Sequence, residues 1–119
     1  MTPFGAKLRE LRGGRSLTQK QMAAALNVSA AYLSALEHGH RAAPSFEFVQ
    51  RVIGYFNVIW DDAEELQRLA SMSDPKVSID TSGLTPQATE LANQLAHRIA
   101  SLSDEKVETL LSVLKSERG

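Results

Sequence analysis

Residues 17–39 read LTQKQMAAALNVSAAYLSALEHG, and their spacing predicts two short helices joined by a tight turn. Thr18 followed by Gln21 fits a capping box, in which a hydroxyl and an amide satisfy the free N–H groups of a helix start. Met22 and Leu26, four residues apart among small alanines, give that helix one inward face. Asn27 stands where the chain must turn and tolerates left-handed backbone better than most residues. Val28 is placed to plug the core from the turn. Ser29 caps a second helix whose Leu33 and Leu36 face inward, and Gly39 closes it. Helices of about two turns are unstable alone. They need neighbours.

The flanking sequence supplies them. Thr2-Pro3 opens a helix with proline at a tolerated first-turn position. Phe4, Leu8 and Leu11 recur at helical spacing, and Gly13-Gly14 is expected to stop the run. After a loop, HGHRAAP, a helix is expected over about 45–56, with Phe46, Val49, Val52, Ile53 and Phe56 as its core face. Another is expected from Asp61, where Asp61 and Glu64 match a capping pattern behind Trp60. Its apolar face would be Ala63, Leu66, Leu69 and Ala70. Residues 1–72 thus read as an all-α bundle of five helices. The layout suits a helix-turn-helix that sets its second helix in the major groove of duplex DNA.

The run FGAKLRELRGGRSLTQKQMAAALNVSAAYLSALEHGHRAAPS resembles the Cro and phage-repressor family of helix-turn-helix proteins, the XRE-type regulators. LTQ, a short turn ending in VS, then YLS, LE and G at fixed offsets carry the likeness, which covers roughly residues 3–56. It implies that Gln19, at the start of the first motif helix, touches a DNA phosphate through its backbone or side-chain amide, with Lys20 adding charge nearby. Ser29 caps the recognition helix and is placed for a phosphate. Ala30, Ala31, Ser34 and Ala35 face the bases. At positions 30, 31 and 35 the family often carries base-reading side chains, whereas alanine methyls touch only a thymine methyl. Selectivity is then expected to lean on Ser34, on water and on DNA shape. Asn27 stands where glycine is frequent. Tyr32 is either a DNA-backbone contact or a packing residue. The resemblance further implies that Arg12 and Glu37 pair, tying the first helix to the end of the recognition helix.

Charge is unevenly spread. Net charge is −1, unpromising for a DNA binder taken whole. Up to Trp60 the chain has seven basic and three acidic residues, a balance of +4, and the rest has six and eleven, a balance of −5. Positive potential therefore lies with the motif, where it speeds encounter with DNA. Arg15, Lys20, His40 and Arg41 are the candidate phosphate cations.

Beyond Ser73-Asp74-Pro75 the chain changes character, and residues 73–83 read as a linker. KVSID at 76–80 alternates briefly, enough for a short extended segment. Thr85-Pro86 begins a long helix with Leu84, Ala88, Leu91, Leu95, Ile99 and Leu102 along a narrow seam. Ser103 caps a last helix, with Asp104 and Glu105 in its first turn and Val107, Leu110, Leu111 and Leu114 as its face. Residues 84–119 thus form a two-helix hairpin. Two helices cannot fully bury two seams, so the hairpin packs on the bundle or on the same hairpin of a second chain. A homodimer is preferred because a lone motif grips one half-site weakly, whereas a two-fold pair presents recognition helices roughly 34 Å apart. Leu91, Leu95, Ile99, Leu102, Leu110, Leu111 and Leu114 are its dimerisation residues.

Several classes are disfavoured. The chain has no cysteine, which removes disulfides and thiolate metal sites. His38 and His40 alone do not close a coordination shell, so no metal and no cofactor is expected. Neither a Gly-rich phosphate loop nor a local catalytic-triad signature appears, and no enzyme is expected. No apolar run spans a membrane and no leader opens the chain, so it reads as soluble and cytoplasmic, with bacterial or phage origin implied by the resemblance. No effector pocket is legible. Two functions stay in play: a dimeric repressor on an inverted-repeat operator, or an antitoxin- or adaptor-type module that binds another protein through the hairpin and its own operator through the motif.

Overall fold

Helix α1, Pro3–Gly14, begins where Thr2 turns from extended backbone and its hydroxyl accepts the Gly5 N–H at 3.0 Å. The computed structural model describes residues 1–117; the last two residues of the expected hairpin segment lie outside the described residues. The chain forms two compact units, Met1–Val77 and the part from Ser78 onward. Among the described residues every regular element is helical, and no helix is long and apolar enough to cross a membrane.

In the first unit α1 is followed by α2 (Gln19–Leu26), α3 (Ala30–Glu37), α4 (Phe46–Phe56) and α5 (Trp60–Ser71). The expected capping box is present: Thr18 Oγ1 accepts the Gln21 N–H at 3.0 Å, and Gln21 Oε1 accepts the Thr18 N–H at 2.9 Å. Ser29 and Ser45 cap α3 and α4 with the hydroxyl bond alone, accepting the Tyr32 and Phe48 N–H groups. The first four helices also end alike. Each places a residue in the left-handed region, Ser16, Asn27, Gly39 or Asn57. The next residue's N–H then reaches back five positions, as from Leu17 to Arg12 or from His40 to Ala35. That is the Schellman closure, which satisfies carbonyls the helix leaves open.

Phe4 and Leu8 of α1, Met22 and Leu26 of α2, Leu33 and Leu36 of α3, Phe48, Val49 and Val52 of α4, and Leu66 and Ala70 of α5 make one core. Ser73 belongs to this unit as well. Its buried hydroxyl accepts the Phe4 N–H at 2.9 Å and donates to the Leu69 carbonyl at 2.5 Å.

Three details depart from the sequence expectations. Gly13 and Gly14 sit inside the end of α1, and the left-handed residue that stops it is Ser16. Phe46 is 67% exposed. Phe48 takes its place, meeting Phe4 and Tyr32 edge-to-face at 6.4 and 5.7 Å between centroids. Helix α5 starts at Trp60, behind Ile59, with no side-chain cap; Asp61 lies in its first turn instead of before it.

Gly5 is required by a close approach. A Cβ there would collide with the Leu36 carbonyl oxygen and stand 3.0 Å from Thr2 Oγ1, because α1 crosses the end of α3 at this point. Gly5→Ala gains up to ~1 kcal/mol in helix propensity but forces backbone apart. A net loss of about 2 kcal/mol is expected, visible as a melting temperature lower by roughly 10 °C.

In the second unit the chain turns through residues 80–84. Asp80 Oδ1 accepts the Ser82 N–H at 2.9 Å, and the Ser82 hydroxyl and backbone N–H hold the Asp80 carboxyl below its usual range. The segment at 76–80 forms no strand. Thr85 caps α6 (Pro86–Arg98) and Pro86 is its first residue, the expected Thr-Pro start. A 3-10 turn, Ile99–Ser101, then interrupts the predicted long helix, so Ile99 and Leu102 lie beyond α6. Ser103 caps α7 (Asp104–Ser116). No described side chain of α6 or α7 is buried. Leu91, Leu95, Leu102 and Leu110 line a groove of about 360 Å3 between them, with Leu91 58% and Leu110 41% exposed.

Candidate nucleic-acid interface

Helix α3 shows its first turn to solvent and buries its last. Ser29, Ala30 and Ala31 are exposed, Tyr32, Ser34 and Ala35 are half-buried, and Leu33, Leu36 and Glu37 are in the core. The Ser29 hydroxyl accepts the Tyr32 N–H at 3.0 Å. An exposed helix N-terminus carries partial positive charge and unsatisfied N–H groups, which favour an anion such as a phosphate.

What holds α3 at this angle is a buried carboxylate. Glu37 is fully buried. Arg12 Nε and Nη2 donate to its two oxygens at 2.9 and 3.0 Å, and Gln19 Nε2 adds a third bond at 3.0 Å. Arg12 Nη1 also donates to the Leu17 carbonyl at 3.1 Å. The expected Arg12–Glu37 pair is therefore present, and it joins α1, α2 and α3 in one network. It also narrows the two alternatives for Gln19, whose side-chain amide is committed to Glu37. Only its backbone N–H, in the first turn of α2, stays open to a phosphate. Lys20 beside it is exposed.

The other candidates divide. Arg41 lies on the face of Tyr32, with Cζ 5.0 Å from the ring centroid. Tyr32 in turn packs on Phe48, so it is a packing residue that also supports a cation. Arg15 is drawn to the end of α4: Nη1 donates to the Tyr55 carbonyl at 3.2 Å, and Cζ lies 5.3 and 4.8 Å from the Tyr55 and Phe56 rings. That guanidinium caps a helix end. Arg51, not singled out from sequence, does the same for α2, donating to the Leu26 carbonyl at 2.7 Å.

From sequence His38 is weighed only beside His40, against a metal site; the structure sets it next to Ser34. It follows Ser34 by one helical turn and is exposed, with Nδ1 2.7 Å from the Ser34 carbonyl oxygen and 3.5 Å from the Ser34 hydroxyl. The i, i+4 spacing puts both on one face, so a face otherwise built of alanine carries an imidazole beside its hydroxyl. The His38 and His40 rings stack at 6.3 Å. Among the described residues no three histidine, aspartate or glutamate side chains gather as a metal site.

Comparison with known proteins matches the same region. A family model described as "Helix-turn-helix domain" covers residues 3–66. An uncharacterized HTH-type transcriptional regulator of Bacillus subtilis (strain 168), RghRB, is 36% identical over 62 residues, 52% of this chain and 45% of that protein. The chain thus matches under half the length of that relative. Among solved structures, a SinR protein/SinI protein complex aligns over 94% of each chain at 18% identity and a TM-score of 0.47. With the family model matching more than half of its residues, and with two short capped helices locked at a fixed angle over that stretch, the chain belongs to the XRE-like helix-turn-helix family of DNA-binding transcription regulators.

Proposed function

We propose that this protein is a cytoplasmic, dimeric transcriptional repressor that occupies an inverted-repeat operator. The observation that carries the reading is the exposure of α3: its capped first turn is free while its last turn is fixed in the core through Glu37. A recognition helix held this way inserts its N-terminal residues into the major groove without further ordering. Ala30 and Ala31 offer methyl contacts and Ser34 a hydrogen bond. Lys20, His40 and Arg41 meet phosphates, and Ser29 and the Gln19 backbone N–H support them. The uncovered seam on α6 and α7 supports pairing with a second chain, which sets two motifs one DNA turn apart.

The test is binding to an inverted repeat with about ten base pairs between half-site centres, measured by fluorescence anisotropy against a randomised duplex at physiological salt. The repeat should bind at least about 1,000-fold more tightly. Equal affinity for both duplexes would rule out sequence-specific regulation. A second reading draws on the same seam: an adaptor- or antitoxin-type protein whose hairpin holds a different chain. Light scattering of the purified protein separates the two, a dimer mass supporting the repressor and a monomer mass the adaptor.

A further inference from the structure

Past the end of α3 the chain forms a small basic notch that includes a residue outside the helix-turn-helix. It has a volume of about 210 Å3 and is lined by His40, Arg41, Ala42, Asp74, Pro75 and Lys76. Its two walls come from distant parts of the sequence, and each is anchored. On one wall, Arg41 rests on Tyr32, which packs on Phe48 of the core. On the other, Ser73 is buried and bonded to Phe4 and Leu69. Asp74 Oδ1 accepts the Ala43 N–H at 3.3 Å, fastening the second wall to the first. Pro75 restricts the backbone between Asp74 and Lys76.

The charges suit one kind of ligand. Neither Arg41 nor Lys76 takes part in an ion pair among the described residues, and both are exposed. With Asp74 negative and His40 counted as neutral, the notch carries one net positive charge. A phosphodiester carries one negative charge and offers acceptor oxygens to both cations. The notch opens directly after the closure of α3 at Gly39 and His40, on the same loop as the candidate phosphate contact Arg41. We infer that it takes one backbone phosphate of the bound duplex, so that Lys76 extends the grip on DNA beyond the family motif. The inference rests on the DNA-binding reading above.

The experiment measures anisotropy of the full chain on an inverted-repeat and a randomised duplex across a salt series, with the wild type and two variants. Lys76→Gln should weaken both duplexes alike, by about threefold to tenfold, and flatten the slope of log affinity against log salt by about one. Asp74→Asn keeps an acceptor for the Ala43 N–H and removes the opposing charge, so it should tighten both duplexes several-fold. A structural role for the segment would not move the two variants in opposite directions at unchanged melting temperature. Wild-type binding with an unaltered Lys76→Gln slope would overturn the inference and leave the DNA reading standing. If sodium phosphate shifts the His40 ring resonances saturably while that slope stays unaltered, the notch serves a free anion, and the inference falls equally. A wild type that binds no duplex would overturn the DNA reading and the inference together.

Discussion

Replacing Leu95 and Leu110 together by glutamate should halve the mass of the particle in solution and weaken binding to an inverted-repeat duplex by about 100-fold or more. Both leucines line the groove between α6 and α7, and Leu110 is 41% exposed in the single chain. Covering the part of each leucine still in water contributes a fraction of the ~1.5–3 kcal/mol that burial of a whole leucine side chain is worth. Four glutamates brought together across a dimer seam add repulsion and desolvation. Glutamate is a good helix former, and neither position supports a buried core, so the helices themselves should persist. Binding to an isolated half-site should change little, because the motif residues are untouched. A dimer mass retained by the double variant in light scattering would show that the proposed seam is not the interface.

Glu37→Ala should lower the stability of the first unit by about 3 kcal/mol, a fall of roughly 15 °C in its melting temperature. The loss leaves the Arg12 guanidinium, partly shielded from water, without its two bonds to the carboxylate, and the Gln19 amide without its acceptor. Arg12→Leu is expected to be at least as damaging, since it strands a carboxylate that is fully buried. Combining Arg12→Leu with Glu37→Ala should be less harmful than the sum of the two single changes, because no unpaired charge then remains. Circular dichroism melts of the four proteins check this. Strict additivity would mean that Arg12 and Glu37 are not coupled. At temperatures where Glu37→Ala is still folded, weakened DNA binding would report a recognition helix that has lost its fixed angle.

Features set by a few adjacent residues were legible in the sequence. The Thr18–Gln21 box, the Ser29 and Ser103 caps and the Thr85-Pro86 start depend on local hydrogen bonds, and the structure has them all. Periodicity alone could not choose between Phe46 and Phe48, because either phenylalanine fits a helical stripe on α4. The choice is made by Phe4 and Tyr32, aromatic partners from other helices. The residue that turns the chain after α1 differs from the expected glycine for a related reason. Glycine is the usual left-handed residue, yet here Ser16 takes that conformation and the preceding glycines stay helical. At the candidate site the pattern repeats. Ser29 and the exposed alanines follow from helix phase, whereas the bond from Gln19 to Glu37 and the stacking of Arg15 on α4 need the tertiary fold. His38 was within reach of the sequence, lying four residues beyond Ser34.

Trp60 is the chain's sole tryptophan and stands 84% exposed at the start of α5, beside the exposed Ile59. Its indole is therefore already in water in the folded chain, and its emission maximum barely distinguishes folded from unfolded protein. The same placement makes it a selective optical reporter. Quenching by iodide or acrylamide is close to maximal when the first turn of α5 is free, and falls only when something covers that turn. One native fluorophore thus separates occupation of this surface from melting of the core without any label being introduced.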